Sequence, residues 1–101
     1  MGWATTYIKK LQKGKTVQFK PRGNSMTPDI KSGQLVEVVP IAPSEEIEAE
    51  DIVLCKVNGN EYLHFIKKAA HCSFQIGNAH GRINGWINRE HIYGKLSKVI
   101  K

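Results

Sequence analysis

Apolar and polar positions alternate with two periods along this chain, and the change of period separates one helix from a series of strands. Trp3, Tyr7, Ile8 and Leu11 recur at helical spacing, which predicts a short helix over residues 3–12, stopped at Gly14. From residue 17 the period falls to two. Val17 and Phe19 alternate in "TVQFKPRG", a strand ended by Pro21. "QLVEVVPI" reads as the next strand. "DIVLCKV" follows an acidic connector, "APSEEIEAE". Asn58-Gly59-Asn60 is the clearest hairpin turn, and "EYLHFIKKA" returns from it. In that strand Tyr62, His64 and Ile66 share one face, while Leu63, Phe65 and Lys67 share the other. "CSFQIGN" and "HIYGKLSKVI" are further strands, with Gly94 as an expected bulge. "AHGRINGW" reads as a turn, Gly81, Asn84 and Gly85 being turn residues and Trp86 a core anchor. The expected fold is a small, mostly β domain of coiled sheet with one short N-terminal helix, a single domain over 1–101 with 1–15 as its helical segment.

Composition narrows the function classes. The 101 residues suit one small domain, with 41% hydrophobic and 24% charged residues. No apolar run approaches the ~18 residues of a membrane span, and no signal-peptide core is visible. No transmembrane segment and a cytoplasmic location are therefore expected. Cys55 and Cys72 lack metal-ligand spacing and read as reduced thiols, at least one of them in the core. The formal charge is +6, and the acids gather at Glu45, Glu46, Glu48, Glu50 and Asp51, so the remainder is more basic than the total. That balance permits nucleic-acid contact, a reading that rests on charge alone.

The densest local signal is "RGNSMTPDIKSGQLVEV", Arg22 to Val38. Gly23, Pro28 and Gly33 frame Ser25 and Met26. A serine hydroxyl becomes a nucleophile only with a base in hydrogen-bond reach and donors for the oxyanion. The loop contains no such base, so it must come from elsewhere: His64, His71, His80, His91 or a lysine.

Those residues resemble the serine box of the S24/S26 serine peptidase superfamily, which includes signal peptidases and the LexA-like self-cleaving domains. Gly23, Ser25, Met26, Pro28, Ile30 and Gly33 match the box, "AEDIVLCKV" resembles the family's second Gly-Asp-Ile-Val strand, and the likeness extends over roughly Val17 to Leu96. The resemblance implies Ser25 as nucleophile and His64 as base. It is closest to the Ser-His branch of archaeal and endoplasmic-reticulum signal peptidases, with Lys67 as base if the register slips by one. Imidazole suits the role of base, being mostly neutral at pH 7, whereas a lysine needs strong desolvation. Asn24 and Met26 flank the nucleophile as supporting or oxyanion positions, Met26 mainly by packing beneath the loop. The backbone N–H of Ser25 or a neighbour would form the oxyanion hole. Asn78 stands where the branch carries an aspartate, and Gln34 where the family usually has one. His80 reads as a turn histidine that could join the site.

The resulting expectation is a serine peptidase-like protein cleaving a peptide bond through a Ser25–His64 dyad, weak or substrate-restricted for want of the acid. It calls for no cofactor and no metal. The partner is a protein or peptide substrate, with a homodimer also compatible. Segment 1–15 is shorter than the helix-turn-helix module of LexA-like repressors, so neither of the family's usual substrates is expected to be tethered. The alternative is a catalytically inactive binding or dimerisation module on the same fold.

Overall fold

The computed structural model describes residues 2–100. Helix α1 spans Thr5–Gln12 and buries Ile8 and Leu11, the inner half of the predicted stripe. No serine, threonine or aspartate caps it. Glu61 instead reaches across from a strand, its Oε1 accepting from the Ala4 backbone N–H at 2.6 Å and its Oε2 from the Thr5 hydroxyl at 2.8 Å. A carboxylate at a helix N-terminus satisfies orphan donors and meets the positive end of the dipole. Lys9 and Lys10 lie in the last turn, at the negative end.

Seven strands follow: β1 Val17–Phe19, β2 Val36–Pro40, β3 Ile52–Val57, β4 Asn60–Ala69, β5 Phe74–Gly77, β6 Ile83–Ile87 and β7 Ile92–Val99. They form one antiparallel sheet in the order β1-β2-β7-β3-β4-β5-β6. The mostly β class expected from the pattern is the class observed. Period two puts alternate residues of each strand into two cores, one on each face of the sheet. Val36, Val38, Leu54 and Leu63 meet α1 in the first; Val53, Cys55, Ile66 and Ile76 build the second.

The β3–β4 hairpin turns at Asn58 and Gly59, both at positive φ (51° and 82°), the twist a two-residue hairpin loop favours. The turn sets the pairing Val57↔Asn60 and, further along, Val53↔His64. Gly94 lies beside the β7 bulge, which falls at Tyr93: Leu54 pairs with Gly94 and Cys55 with Ile92. A Cβ on Gly94 would come 2.7 Å from Val38 Cγ1 and 2.9 Å from both Leu11 Cδ1 and the Val39 carbonyl, so its missing side chain lets α1 close onto the sheet.

Two expectations are corrected. Half of the supposed turn "AHGRINGW" is strand β6, because the β-branched Ile83 and Ile87 pair it with β5 despite Gly85. Trp86 is half-exposed at that edge strand and not a core anchor; Ile87 takes the buried position. Of the two cysteines, Cys55 is buried and Cys72 exposed, both free. Among the described residues no helix is long and apolar enough to cross a membrane.

Candidate active site

The connection from β1 to β2 is irregular, yet it is tied down along its length. Met26 and Ile30 are buried in the first core, and the Ile30 N–H donates to the Met26 carbonyl at 2.9 Å. The base of the loop is closed by the Gly33 N–H on the Pro21 carbonyl (2.8 Å) and by the Gly23 N–H on Ser32 Oγ (3.1 Å). Positive φ at Gly23 and Gly33 (102° and 83°) makes glycine the fitting residue at both ends. Gln34, the departure from the family's aspartate, accepts the Lys31 N–H through Oε1 at 2.7 Å. Gln34 thus holds the turn at the base of the loop and does not line the groove beside Ser25.

These anchors present Ser25, which is exposed, to β4. Ser25 Oγ lies 3.1 Å from His64 Nε2. The other ring nitrogen, Nδ1, lies 2.7 Å from Asn84 Oδ1 on β6. An amide oxygen only accepts, so Nδ1 carries the proton and Nε2 offers its lone pair to the serine hydroxyl. His64 is 7% exposed, and its ring packs against Tyr62 at 4.8 Å between centroids. Burial pushes its pKa below the usual 6.5; the bond to Asn84 opposes this, and the Lys67 charge adds to it. The ring is thereby kept neutral near pH 7.

Asn84, expected only as a turn residue, faces the imidazole where Asn78 was expected. Asn78 Oδ1 accepts the backbone N–H groups of His80 and Arg82, both at 2.9 Å, folding the loop between β5 and β6. From that loop the Ala79 N–H donates to the Ser25 carbonyl at 2.9 Å. Asn78 thus bears on Ser25 through the backbone and not through the ring. His80 also braces the serine loop, with Nε2 2.8 Å from the Asn24 carbonyl and 3.1 Å from Thr27 Oγ1. Asn24 contributes that carbonyl, which also accepts from the Thr27 hydroxyl at 3.0 Å. Met26 packs beneath the loop, as its residue type suggested. Lys67, the alternative base, lies over the Phe65 ring, 5.1 Å from its centroid.

Asn84 and Glu61 are the residues a reading of the sequence passes over. Asn84 looked like turn chemistry between Gly81 and Gly85. The signal that could have found it was the pair Ile83 and Ile87, whose β-branched side chains mark a strand. Ser25, His64 and Asn84 open into a groove of about 780 Å³, walled on one side by Trp3, Tyr7 and Phe19.

The coiled antiparallel sheet and its anchored serine loop define a peptidase-like domain. The family model described as Peptidase S24-like matches residues 3–79. The chain belongs to that family. The matched span includes α1, Ser25 and His64 and ends before Asn84. Among curated proteins no match is found.

Proposed function

We propose that this protein is a serine peptidase, with Ser25 as nucleophile, His64 as general base and Asn84 as the residue that orients the imidazole. The observation that carries this reading is the continuous relay from Ser25 Oγ through both ring nitrogens of His64 to Asn84 Oδ1. Ser25 Oγ attacks the peptide carbonyl carbon while its proton passes to Nε2. Nδ1–H stays on Asn84, so the ring cannot rotate or change tautomer. The oxyanion is received by backbone N–H groups of the loop at Ser25 and its neighbours. Collapse sends the Nε2 proton to the departing amine and leaves an ester on Ser25. Water then attacks that ester, again with His64 as base, and the free serine is restored.

A neutral amide orients an imidazole without a full charge to stabilise imidazolium, which implies a slower enzyme than one with an aspartate. General-base catalysis by the histidine alone contributes about 10²–10⁴-fold. The test is a serine-directed acylating probe. Wild type is labelled at Ser25, Ser25→Ala gives the background, His64→Ala falls to near that background, and Lys67→Ala keeps labelling. Labelling of wild type no greater than Ser25→Ala would reject the peptidase and leave the inactive binding module. Labelling that survives His64→Ala but not Lys67→Ala would move the base to Lys67.

A further inference from the structure

We infer that the groove beside Ser25 selects peptides pairing a large apolar or aromatic side chain with an acidic residue, and that α1 supplies the apolar half of this specificity. The inference rests on the peptidase reading of the same groove and names the substrate class that reading leaves open.

The apolar half is a built platform. Tyr7 stacks on the buried Phe19 with centroids 4.5 Å apart and planes 17° from parallel, and the exposed Trp3 lies 5.6 Å from Phe19. Trp3 is 50% exposed, yet its indole is held: Nε1–H donates to the Glu61 carbonyl at 3.0 Å. The next two residues are fixed to the Glu61 carboxylate through the Ala4 N–H and the Thr5 hydroxyl. A half-exposed indole whose polar edge is already satisfied is arranged to receive an apolar side chain. A groove of about 780 Å³ has room for that side chain and its neighbours.

The polar half is set by charge. Lys20, Arg22 and Arg82 line the same groove, and among the described residues Glu61 is the only carboxylate lining it. Both oxygens of Glu61 are already engaged by the start of α1, which leaves its charge directed at the helix. Among the described residues no carboxylate lies within 4.0 Å of the Arg22 or Arg82 guanidinium. The groove therefore attracts an acidic residue and repels a basic one. A small side chain leaves the aromatic wall wet, and a basic neighbour meets like charge.

Binding is measured separately from chemistry. Fluorescent octapeptides of equal length carry Phe-Glu, Ala-Glu, Phe-Lys or Ala-Lys at the centre, and their anisotropy is followed with the Ser25→Ala protein. Phe-Glu is expected to bind about 10- to 100-fold tighter than Ala-Lys, the scale of discrimination an apolar pocket gives. The preference for Phe shrinks in Trp3→Ala. The preference for Glu fades between about 50 and about 500 mM salt and in the Arg22→Gln/Arg82→Gln protein. Four peptides of equal affinity, or no binding to any of them, overturns the inference, as does salt-dependent binding of a nucleic-acid oligomer that outcompetes Phe-Glu. If wild type cleaves all four equally, the peptidase reading stands and this one falls. If Phe-Glu is selected but wild type never cleaves it, the groove's specificity stands and the peptidase reading falls.

Discussion

Replacing Asn84 by aspartate changes charge and little else, so it isolates what the amide does for His64. The two side chains share a shape, and a carboxylate oxygen would take the place now held by Oδ1, 2.7 Å from Nδ1. A unit charge facing imidazolium at about 4 Å is worth about 4 kcal/mol at an effective dielectric near 20. The new carboxylate must leave water to stand there, which offsets part of that gain. Shifts for such pairs run to about 1–3 pK units. In wild type, burial holds His64 below 6.5, so with His64 as the proposed base its protonation would limit activity only on the acid side of that value. An aspartate stabilises the charged ring and moves this acid limb upward by about one to two units, or about 1.4–2.7 kcal/mol. On the alkaline plateau the imidazolium formed during attack is stabilised by a similar amount. There kcat/KM rises about ten- to a hundredfold, while near pH 5 the variant gains least because its base is protonated. The gain stays below the ~10⁴ lost on Asp to Asn in the Ser-His-Asp triad, since part of that loss reflects a wrong tautomer. In this site the amide oxygen already selects the Nδ1–H form. The assay is Ser25 acylation rate or peptide cleavage from about pH 5 to about pH 9, with NMR titration of the His64 ring. A folded Asn84→Asp protein with the wild-type acid limb and plateau would remove Asn84 from the relay.

The helix latch and the thiols give further checks. Glu61→Ala leaves the buried Ala4 N–H without its acceptor, while the Thr5 hydroxyl falls back on the Gly2 carbonyl 3.2 Å away, at a cost of about 1–3 kcal/mol, and Glu61→Gln recovers most of it. Hydrogen exchange should quicken at the amides of α1 and leave β3 protected; equal protection in α1 would deny the carboxylate its capping role. In the native protein near pH 8 a thiol reagent should modify Cys72 and spare Cys55, whose pKa burial pushes up to about 12. Both should react in denaturant, and rapid native labelling of Cys55 would contradict its burial.

Much of the candidate site was legible because local chemistry sets it. The Asn58-Gly59 turn fixes a register, and the register decides which face of β4 His64 takes. Met26 and Ile30 are apolar plugs at the spacing of a loop that must bury something while presenting Ser25. Asn84 was not legible, because its meeting with His64 depends on two strand pairings, each with a register shift: one between Ile66 and Lys68, the other between Ile76 and Gly77. Glycines on either side of Asn84 gave the local signal of a turn, and the pairing of β6 with β5 overrode it. Trp86 was misplaced for a related reason. Alternation gives two faces, but not that β6 would be the edge strand of the sheet, where Trp86 is left half-exposed. Glu61 escaped notice because a helix cap supplied from a strand 57 residues away in sequence leaves no local pattern.

The place of β7 in the sheet has a consequence for when the site comes into being. β7 is the last of the described strands in sequence, yet it lies between β2 and β3 and is the strand that bridges them. Ser25 belongs to the block before that bridge, and His64 and Asn84 to the block after it. While the chain is being synthesised each block can form hairpins of its own, but the sheet that sets them side by side awaits β7. Long-range pairings of this kind form late. The nascent chain would therefore hold Ser25 apart from His64 and Asn84 until that strand pairs with both β2 and β3, which makes the candidate site one of the last features of the fold to assemble.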